Sequence, residues 1–328
     1  MMDKKFAVID LGSNSLRLLI ARVEKNTILP ERRELRETRL GQGLKPGGVF
    51  YPEARERTLA ALQELFAVAR EAGVTDGLVV ATSAVREAAD GHHFLDELGR
   101  WSPFPPRLLT PLEEARLGFN GALQALDVKN GLVVDLGGRS TEISWLGQGE
   151  EKDLISFSLP IGAVRLHEAF QSGPEPQDLA YDRLQAHVHA LLGREMAQNP
   201  FAVSAAETGT APLDLIGLGG TITTLAALDC GLTEYDPLRV HGHCLTRKAV
   251  TRWLKTLLRC SLEELKGLLS FAPKRADIFP AGLAAWLAMM DFWGLDHCTV
   301  SEEGLLWGVL QELAGGAAGQ GKPETRAD

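Results

Sequence analysis

One nine-residue pattern occurs twice in this chain and constrains what the chain can become. Ala7-Val8-Ile9-Asp10-Leu11-Gly12-Ser13-Asn14-Ser15 aligns with Leu132-Val133-Val134-Asp135-Leu136-Gly137-Gly138-Arg139-Ser140, 125 positions later. Each copy reads as strand, Asp-Leu-Gly turn, strand. A duplication on this scale predicts two similar sheets facing each other, in an α/β chain of two related domains. A strand-end aspartate followed by glycine and hydroxyl residues also brings a carboxylate and several backbone N–H groups to one point, which suits a phosphate with its metal. One copy alone would read as a hairpin capped by its aspartate. Two copies and a third glycine turn, Gly217-Leu218-Gly219-Gly220-Thr221, favour the phosphate.

The 328 residues leave room for two domains that bury their own cores without disulfides or structural metals. The break at 127–131 is the expected boundary, giving domains over 1–128 and 129–314, the second with helical additions. A tail over 315–328, with nothing apolar to bury, is expected to be disordered. Strands are expected over 6–11, 16–23, 78–81, 107–109 and 213–218, and an exposed strand pair or ribbon over 27–40. Leu59, Leu62, Leu65, Phe66 and Ala69 share one stripe of a helix over 52–72, which Gly73 ends. Thr82 and Ser83 are placed to cap the helix carrying Arg86. Thr110, Pro111 and Glu113 form a capping-box pattern that starts a helix to residue 126. After the 217–221 turn, helices with short interruptions are expected to residue 313.

Thirty-four Lys and Arg against 43 Asp and Glu give a net charge of -9. Such a field repels phosphate backbones and argues against non-specific nucleic-acid binding. An anionic substrate would have to be held locally, by backbone amides, a cation and a few arginines. Cys230, Cys244, Cys260 and Cys298 form no C-x-x-C pair and read as core thiols of a reducing compartment. The longest strongly apolar stretch, 280–290, is about half of a membrane span. The polar N-terminus does not resemble a secretory signal, so a cytoplasmic location without membrane contact is expected.

Asp135 and Glu142 are hard oxygen donors on opposite arms of the second strand-turn-strand, where a hairpin could bring both to its mouth. One or two carboxylates suffice for magnesium when waters and substrate phosphate complete the shell. The plain alternative for Glu142 is a solvated strand residue. Glu113 is the capping partner, while Glu114 points about 100° around the helix with no local role. Aimed at a phosphate, Glu114 is the right group to take a proton from water, although alone it would read as a surface residue. Arg86, in the first turn of its helix, conflicts with the helix dipole and hints at an anionic ligand. Arg100 and Arg116 fit solvated faces. His241-Gly242-His243 lacks ligands at metal spacing and reads as turn packing.

These residues resemble the exopolyphosphatase and guanosine pentaphosphate phosphohydrolase family. The resemblance is carried by the Asp10–Ser15 turn, Ala81-Thr82-Ser83-Ala84-Val85-Arg86-Glu87-Ala88, Glu113-Glu114-Ala115-Arg116-Leu117, Asp135-Leu136-Gly137-Gly138-Arg139-Ser140-Thr141-Glu142, Ser158-Leu159-Pro160-Ile161-Gly162-Ala163-Val164-Arg165-Leu166 and the Gly217 turn. It implies two ribonuclease-H-like domains of the actin and acetate/sugar kinase superfamily, facing an interdomain cleft. The implied activity is hydrolysis of a terminal phosphoanhydride with Mg2+ or another divalent cation, releasing orthophosphate from polyphosphate or from pppGpp. By position Glu114 corresponds to the catalytic base, and Asp135 and Glu142 to the metal-associated carboxylates. Asp10, Gly12, Ser13, Asn14, Arg86, Gly137, Gly138, Arg139, Ser140, Gly219, Gly220 and Thr221 correspond to the phosphate-binding set.

Arg139 stands where the family often has a third glycine, which implies either a stiffer loop or an extra cation for the phosphates. The partners implied are polyphosphate or a guanosine penta- or tetraphosphate as ligand, with no nucleic acid; a homodimer stays open. The rival readings are a superfamily kinase with Asp135 as base and a non-catalytic nucleotide-binding scaffold.

Overall fold

The computed structural model describes residues 4–24, 27–45, 47–129, 131–147, 154–170, 177–198 and 214–319. The chain divides into two compact units, one of Met1–Thr110 with Leu305–Asp328 and one of Pro111–Gly304.

In the first unit β1 (Lys4–Leu11), β2 (Ser15–Glu24), β3 (Thr27–Glu37), β4 (Asp76–Ala81) and β5 (Pro106–Leu108) form a sheet in the order β3-β2-β1-β4-β5. β1, β2 and β3 run antiparallel; β4 and β5 run parallel to β1. The expected ribbon over 27–40 is therefore one strand, β3. It stops at Glu37 because the amides of Thr38, Arg39 and Gly41 turn to the carbonyls of the first bend. Alternation sends Ala7, Ile9 and Leu11 of β1 and Leu16, Leu18 and Ile20 of β2 into one core with Leu62, Leu65, Phe66 and Ala69 of α1 (Pro52–Glu71). Each fully buried leucine of this kind contributes about 1.5 to 3 kcal/mol. Two short helices, α2 (Ser83–Glu87) and α3 (Gly91–Gly99), follow β4. Phe6 and Val8 point to the opposite face and are buried.

The second unit repeats this plan. It opens with α4 (Pro111–Leu126), followed by β6 (Leu132–Leu136), β7 (Thr141–Leu146), β8 (Leu154–Leu159), β9 (Leu215–Leu218), β10 (Cys244–Thr246) and β11 (His297–Val300). The sheet order is β8-β7-β6-β9-β11-β10. Its first five positions match the first sheet strand for strand, antiparallel across β6-β7-β8 and parallel across β6-β9-β11. β10 and β11 interrupt the run expected to be helical. At three and four residues they are too short to show a period of two between helices. Of the expected strand over 213–218, residue 213 lies outside the described residues.

Leu132, Val134, Leu136, Ile143 and Trp145 form the larger core of this unit with its helices. Those helices are α5 (Ala163–Phe170), α6 (Gln177–Gln198), α7 (Gly220–Asp229), α8 (Pro237–Val240), α9 (Arg247–Leu257), α10 (Leu262–Leu268) and α11 (Phe279–Trp293). On the other face Phe119 and Ala122 of α4 bury against Val133, Ile216 and Leu218. The last helix, α12 (Leu305–Gly319), belongs to the first unit and packs on β1 and β2. A boundary at 128 would part α4 from the sheet that buries its stripe, and one at 314 would leave α12 outside the unit it packs in. Residues 315–319, expected in the tail, complete α12; the rest of that tail lies outside the described residues. No helix of the described residues is long and apolar enough to cross a membrane.

One carboxylate ties the C-terminal end of α7 to α9. Trp253 Nε1 and Arg252 Nη2 donate to Asp229 Oδ1 at 2.8 and 2.9 Å, and His243 Nε2 lies 3.1 Å from Oδ2. Burial alone would raise the Asp229 pKa. Hydrogen bonds from Trp253 and His243, with the charges of His243 and Arg252, outweigh it, and the net direction is down. A depressed folded-state pKa contributes stability that is present above the ordinary value of 3.8 and lost as pH falls through the lower folded value. Asp229→Asn is expected to cost about 2 to 4 kcal/mol in urea unfolding at neutral pH. The gap to the parent chain should narrow as acid protonates the parent carboxyl.

Candidate functional site

The two Asp-Leu-Gly bends correspond down to their hydrogen bonds. Asp10 lies opposite Arg17 across its hairpin, and Asp135 opposite Glu142. Gly12 N donates to Ser15 O at 3.1 Å, and Gly137 N to Ser140 O at 2.9 Å. In the first bend Ser13 O accepts from Gly41 N at 2.8 Å, while Asn14 O accepts from Thr38 N and Arg39 N at 3.0 and 2.9 Å. In the second, the first turn of α5 does this work. Ala163 N donates to Gly137 O at 3.0 Å, and Val164 N and Arg165 N donate to Gly138 O at 2.8 and 3.2 Å. A trans peptide points its N–H away from its C=O. Holding these carbonyls on one side therefore presents the amides of Asn14 and Ser15, and of Gly138 and Arg139, on the other, the concave backbone arrangement that receives anions.

Around the first bend, Ser13 Oγ lies 3.0 Å from Ser83 Oγ. The hydroxyls of Thr82 and Ser83 were expected as helix caps, but Thr82, at the N-cap of α2, makes no side-chain cap bond. Ser83 serves the bend instead. Asn14 is 7% exposed, and neither polar atom of its side chain has a partner in the protein. Leaving a buried amide unmet costs about 1 to 3 kcal/mol, so its partner has to come from outside the chain, as a water or a bound ligand. Arg86 Nη1 donates to Leu109 O at 2.8 Å. Because α2 has only five residues, Arg86 also lies in its last turn, where the dipole favours a cation. The conflict read from sequence is thereby removed.

In the second unit the carboxylates share one face of the sheet. Asp135 lies two residues beyond Val133, on the side that α4 covers, and Glu142 is its partner across the hairpin. Ser158 faces Glu142 from β8 and donates from Oγ to Glu142 Oε1 at 2.8 Å. Glu142 is 5% exposed, so it is not a solvated strand residue. Gly219 closes on this pair with φ 89°. A Cβ there would overlap Leu136 O and lie 2.9 Å from Asp135 Oδ1, so only glycine lets the turn rest against the carboxylate. Hard oxygen donors, Glu142 buried and Asp135 half-buried, suit magnesium. No group of three or more His, Cys, Asp or Glu that could hold a metal occurs among the described residues.

The Gly219 turn also has its carbonyls held back. Thr223 Oγ1 donates to Gly219 O at 3.2 Å and Thr224 Oγ1 to Gly220 O at 2.6 Å. The amides at the start of α7 point away from them. The Thr221 side chain packs against Gly282 of α11, so the turn offers backbone rather than that hydroxyl. Arg275 was not singled out from sequence. Its guanidinium lies against Gly220 so closely that a Cβ there would overlap it. The only local signal is an arginine ending the short Pro273–Arg275 turn ahead of an apolar helix.

Glu114 is half-buried in the first turn of α4. A Cβ on Gly118, one turn later, would lie 3.9 Å from Leu218 Cδ1, and Leu218 is the register partner of Asp135 on β9. Residues 114 and 118 share a helix face. The Glu114 end of α4 therefore lies at the end of the sheet that carries Asp135 and the Gly219 turn. Ser140 is buried, and Gly12, Gly137 and Gly138 are half-buried in their bends.

Arg139 is 2% exposed, with Nη1 3.5 Å from Glu168 Oε2 of α5, and its carbonyl accepts from Arg165 Nε at 2.9 Å. A Cβ on Gly162 would overlap the backbone of Gly138 and Arg139. The guanidinium is thus packed against α5 behind the bend. Arg139→Ala is expected to lower the unfolding free energy by about 2 to 4 kcal/mol in a denaturant titration, through lost packing and a stranded Glu168. Of the conspicuous histidines, His243 holds Asp229, and His241 Nε2 lies 3.3 Å from Ala125 O.

The Ppx/GppA phosphatase family matches residues 19–316. Exopolyphosphatase 2 of Mycobacterium tuberculosis is 34% identical over 332 residues, covering 95% of this chain and 99% of that protein. A solved exopolyphosphatase-like protein aligns with TM-score 0.87 at 31% identity, over 97% of this chain and 100% of its own. A Ppx/GppA family member of Aquifex aeolicus aligns with TM-score 0.74 at 30% identity, over 98% and 99% of the two chains. Similarity at that coverage takes in both sheets, and the chain belongs to the Ppx/GppA phosphatase family, a family of phosphoanhydride hydrolases.

Proposed function

We propose that the protein is an exopolyphosphatase that removes the terminal phosphoryl group of inorganic polyphosphate as orthophosphate. The observation that carries this reading is the grouping in one unit of the Asp135–Glu142 pair, the Gly219 turn and the Glu114 end of α4. The first bend, with its orphaned Asn14 side chain, offers a second cradle of the same design.

Asp135 and Glu142 would hold the divalent cation that family members need. When bound, that ion neutralises charge on the phosphate oxygens. The amides of Gly138, Arg139, Gly220 and Thr221 bind non-bridging oxygens and fix the terminal group. Glu114 accepts a proton from a water whose oxygen attacks the terminal phosphorus. The bridging P–O bond breaks, the shortened chain leaves with the bond's electrons, and the proton passes from Glu114 to solvent or to the leaving oxygen. Water and a chain give orthophosphate and a chain one unit shorter. Arg139 is a positioning residue that braces the second bend from behind.

The test is phosphate release with Mg2+ from short polyphosphate, long polyphosphate, pppGpp and ATP in parallel. Faster release per mole of enzyme from polyphosphate is the expected result. Release from pppGpp alone would move the assignment to guanosine pentaphosphate hydrolysis. Transfer to an acceptor, or binding without turnover, would favour a kinase or a scaffold.

A further inference from the structure

α9 buries Val250, Leu254 and Leu257 and turns a row of cations outward. Arg247, Lys248, Arg252, Lys255 and Arg259 line a shallow groove of about 680 Å³, in which Asp296 is the acid. Residues 247, 251, 255 and 259 follow one another at helical spacing, with 248, 252 and 256 beside them. Arg247 pairs with Asp291 at 3.1 Å and Arg252 with Asp229 at 2.9 Å. Lys248, Lys255 and Arg259 have no carboxylate partner among the described residues. Like charges one turn apart weaken a helix, so helix stability does not account for the row. In a chain of net charge -9 the groove is a local reversal of the field.

We infer that this groove is a secondary binding site for the distal part of an inorganic polyphosphate chain. The inference rests on the exopolyphosphatase reading and narrows its substrate to long chains. Polyphosphate carries a charge at every phosphoryl unit, denser along the chain than in a nucleic acid, and suits a row of closely spaced cations. No aromatic residue lines the groove to stack a base, and no apolar residue lines it to enter a membrane. α7 separates the groove from the proposed phosphate turn. The Gly219 turn starts it, and Asp229, which holds Arg252, ends it ten residues later. That is about 15 Å along a helix whose residues 220–228 are buried, so only a chain long enough to pass around α7 over the surface can occupy both.

The test uses the full chain with Lys248→Glu, Lys255→Glu and Arg259→Glu combined, none of which lies in the proposed catalytic set. KM for phosphate release from long-chain polyphosphate should rise about tenfold or more, while kcat and the KM for tetrapolyphosphate stay within about twofold. The parent's advantage on long chains should shrink as salt rises. The milder Lys248→Gln with Lys255→Gln should give an intermediate KM and covers the case in which the reversal impairs folding. An unchanged long-chain KM in a folded variant overturns the inference, as does tighter groove binding of single-stranded RNA or anionic vesicles. Binding of end-labelled long polyphosphate to Glu114→Gln chains, with and without the reversals, separates the two claims. Groove-dependent binding without any phosphate release by the parent sinks the catalytic reading alone. Release with groove-independent binding sinks the groove alone.

Discussion

Glu114→Gln should lower kcat for phosphate release from polyphosphate by about 100- to 10,000-fold while leaving polyphosphate affinity within a few-fold. Glutamine keeps the size and the hydrogen-bonding reach of the side chain but cannot take up the proton from water. Gly118, over Leu218, fixes this part of α4 on the sheet through packing that the substitution does not touch, so stability should hardly change. Stopped-flow phosphate release gives kcat, and anisotropy of labelled polyphosphate gives affinity. A variant that keeps a tenth or more of the parent kcat would remove Glu114 from the chemistry.

Gly219→Ala should cause a loss of similar size by a different route. With φ 89° and ψ 162°, Gly219 occupies a backbone region essentially closed to other residues, at about 1 to 3 kcal/mol. Its new Cβ would also overlap Leu136 O and crowd Asp135 Oδ1 at 2.9 Å. The turn has to move off the carboxylate, which would disturb the proposed metal and phosphate sites together. We expect phosphate release to fall at least about 100-fold, with the required Mg2+ concentration raised. Gly231→Ala is the control, because Gly231 also has positive φ (67°) but open space where the Cβ would go. It should lose about 1 kcal/mol of stability and no activity.

The duplicated Asp-Leu-Gly pattern carried most of what could be read before the structure. It predicted paired sheets, and the match extends to the Gly12–Ser15 and Gly137–Ser140 hydrogen bonds. It could not reveal that the helix after β5 belongs to the second unit and the helix after β11 to the first, because the apolar stripe of α4 or α12 does not encode which sheet receives it. The backbone tethers were equally hidden. That Gly41 holds Ser13, or that the start of α5 holds Gly137 and Gly138, follows from long-range docking and not from residue type. Glu142 could be named but its environment could not, since burial under Ser158 depends on the register of β7 with β8. Arg275 reaches Gly220 from more than fifty residues away, and the 273–275 turn carries no pattern that points there.

The central claim is that Asp135, Glu142 and the Gly219 turn hold the metal and the terminal phosphate. Its most direct test is calorimetric titration of tripolyphosphate with Mg2+ into Glu114→Gln chains, which are expected to bind with little turnover. Adding Asp135→Asn or Glu142→Gln should each weaken Mg2+-dependent binding by at least about tenfold. Adding Gly231→Ala, just past the far end of α7, should leave it unchanged. Binding that is equally tight with Asp135→Asn, or equally tight with and without Mg2+, would contradict the account.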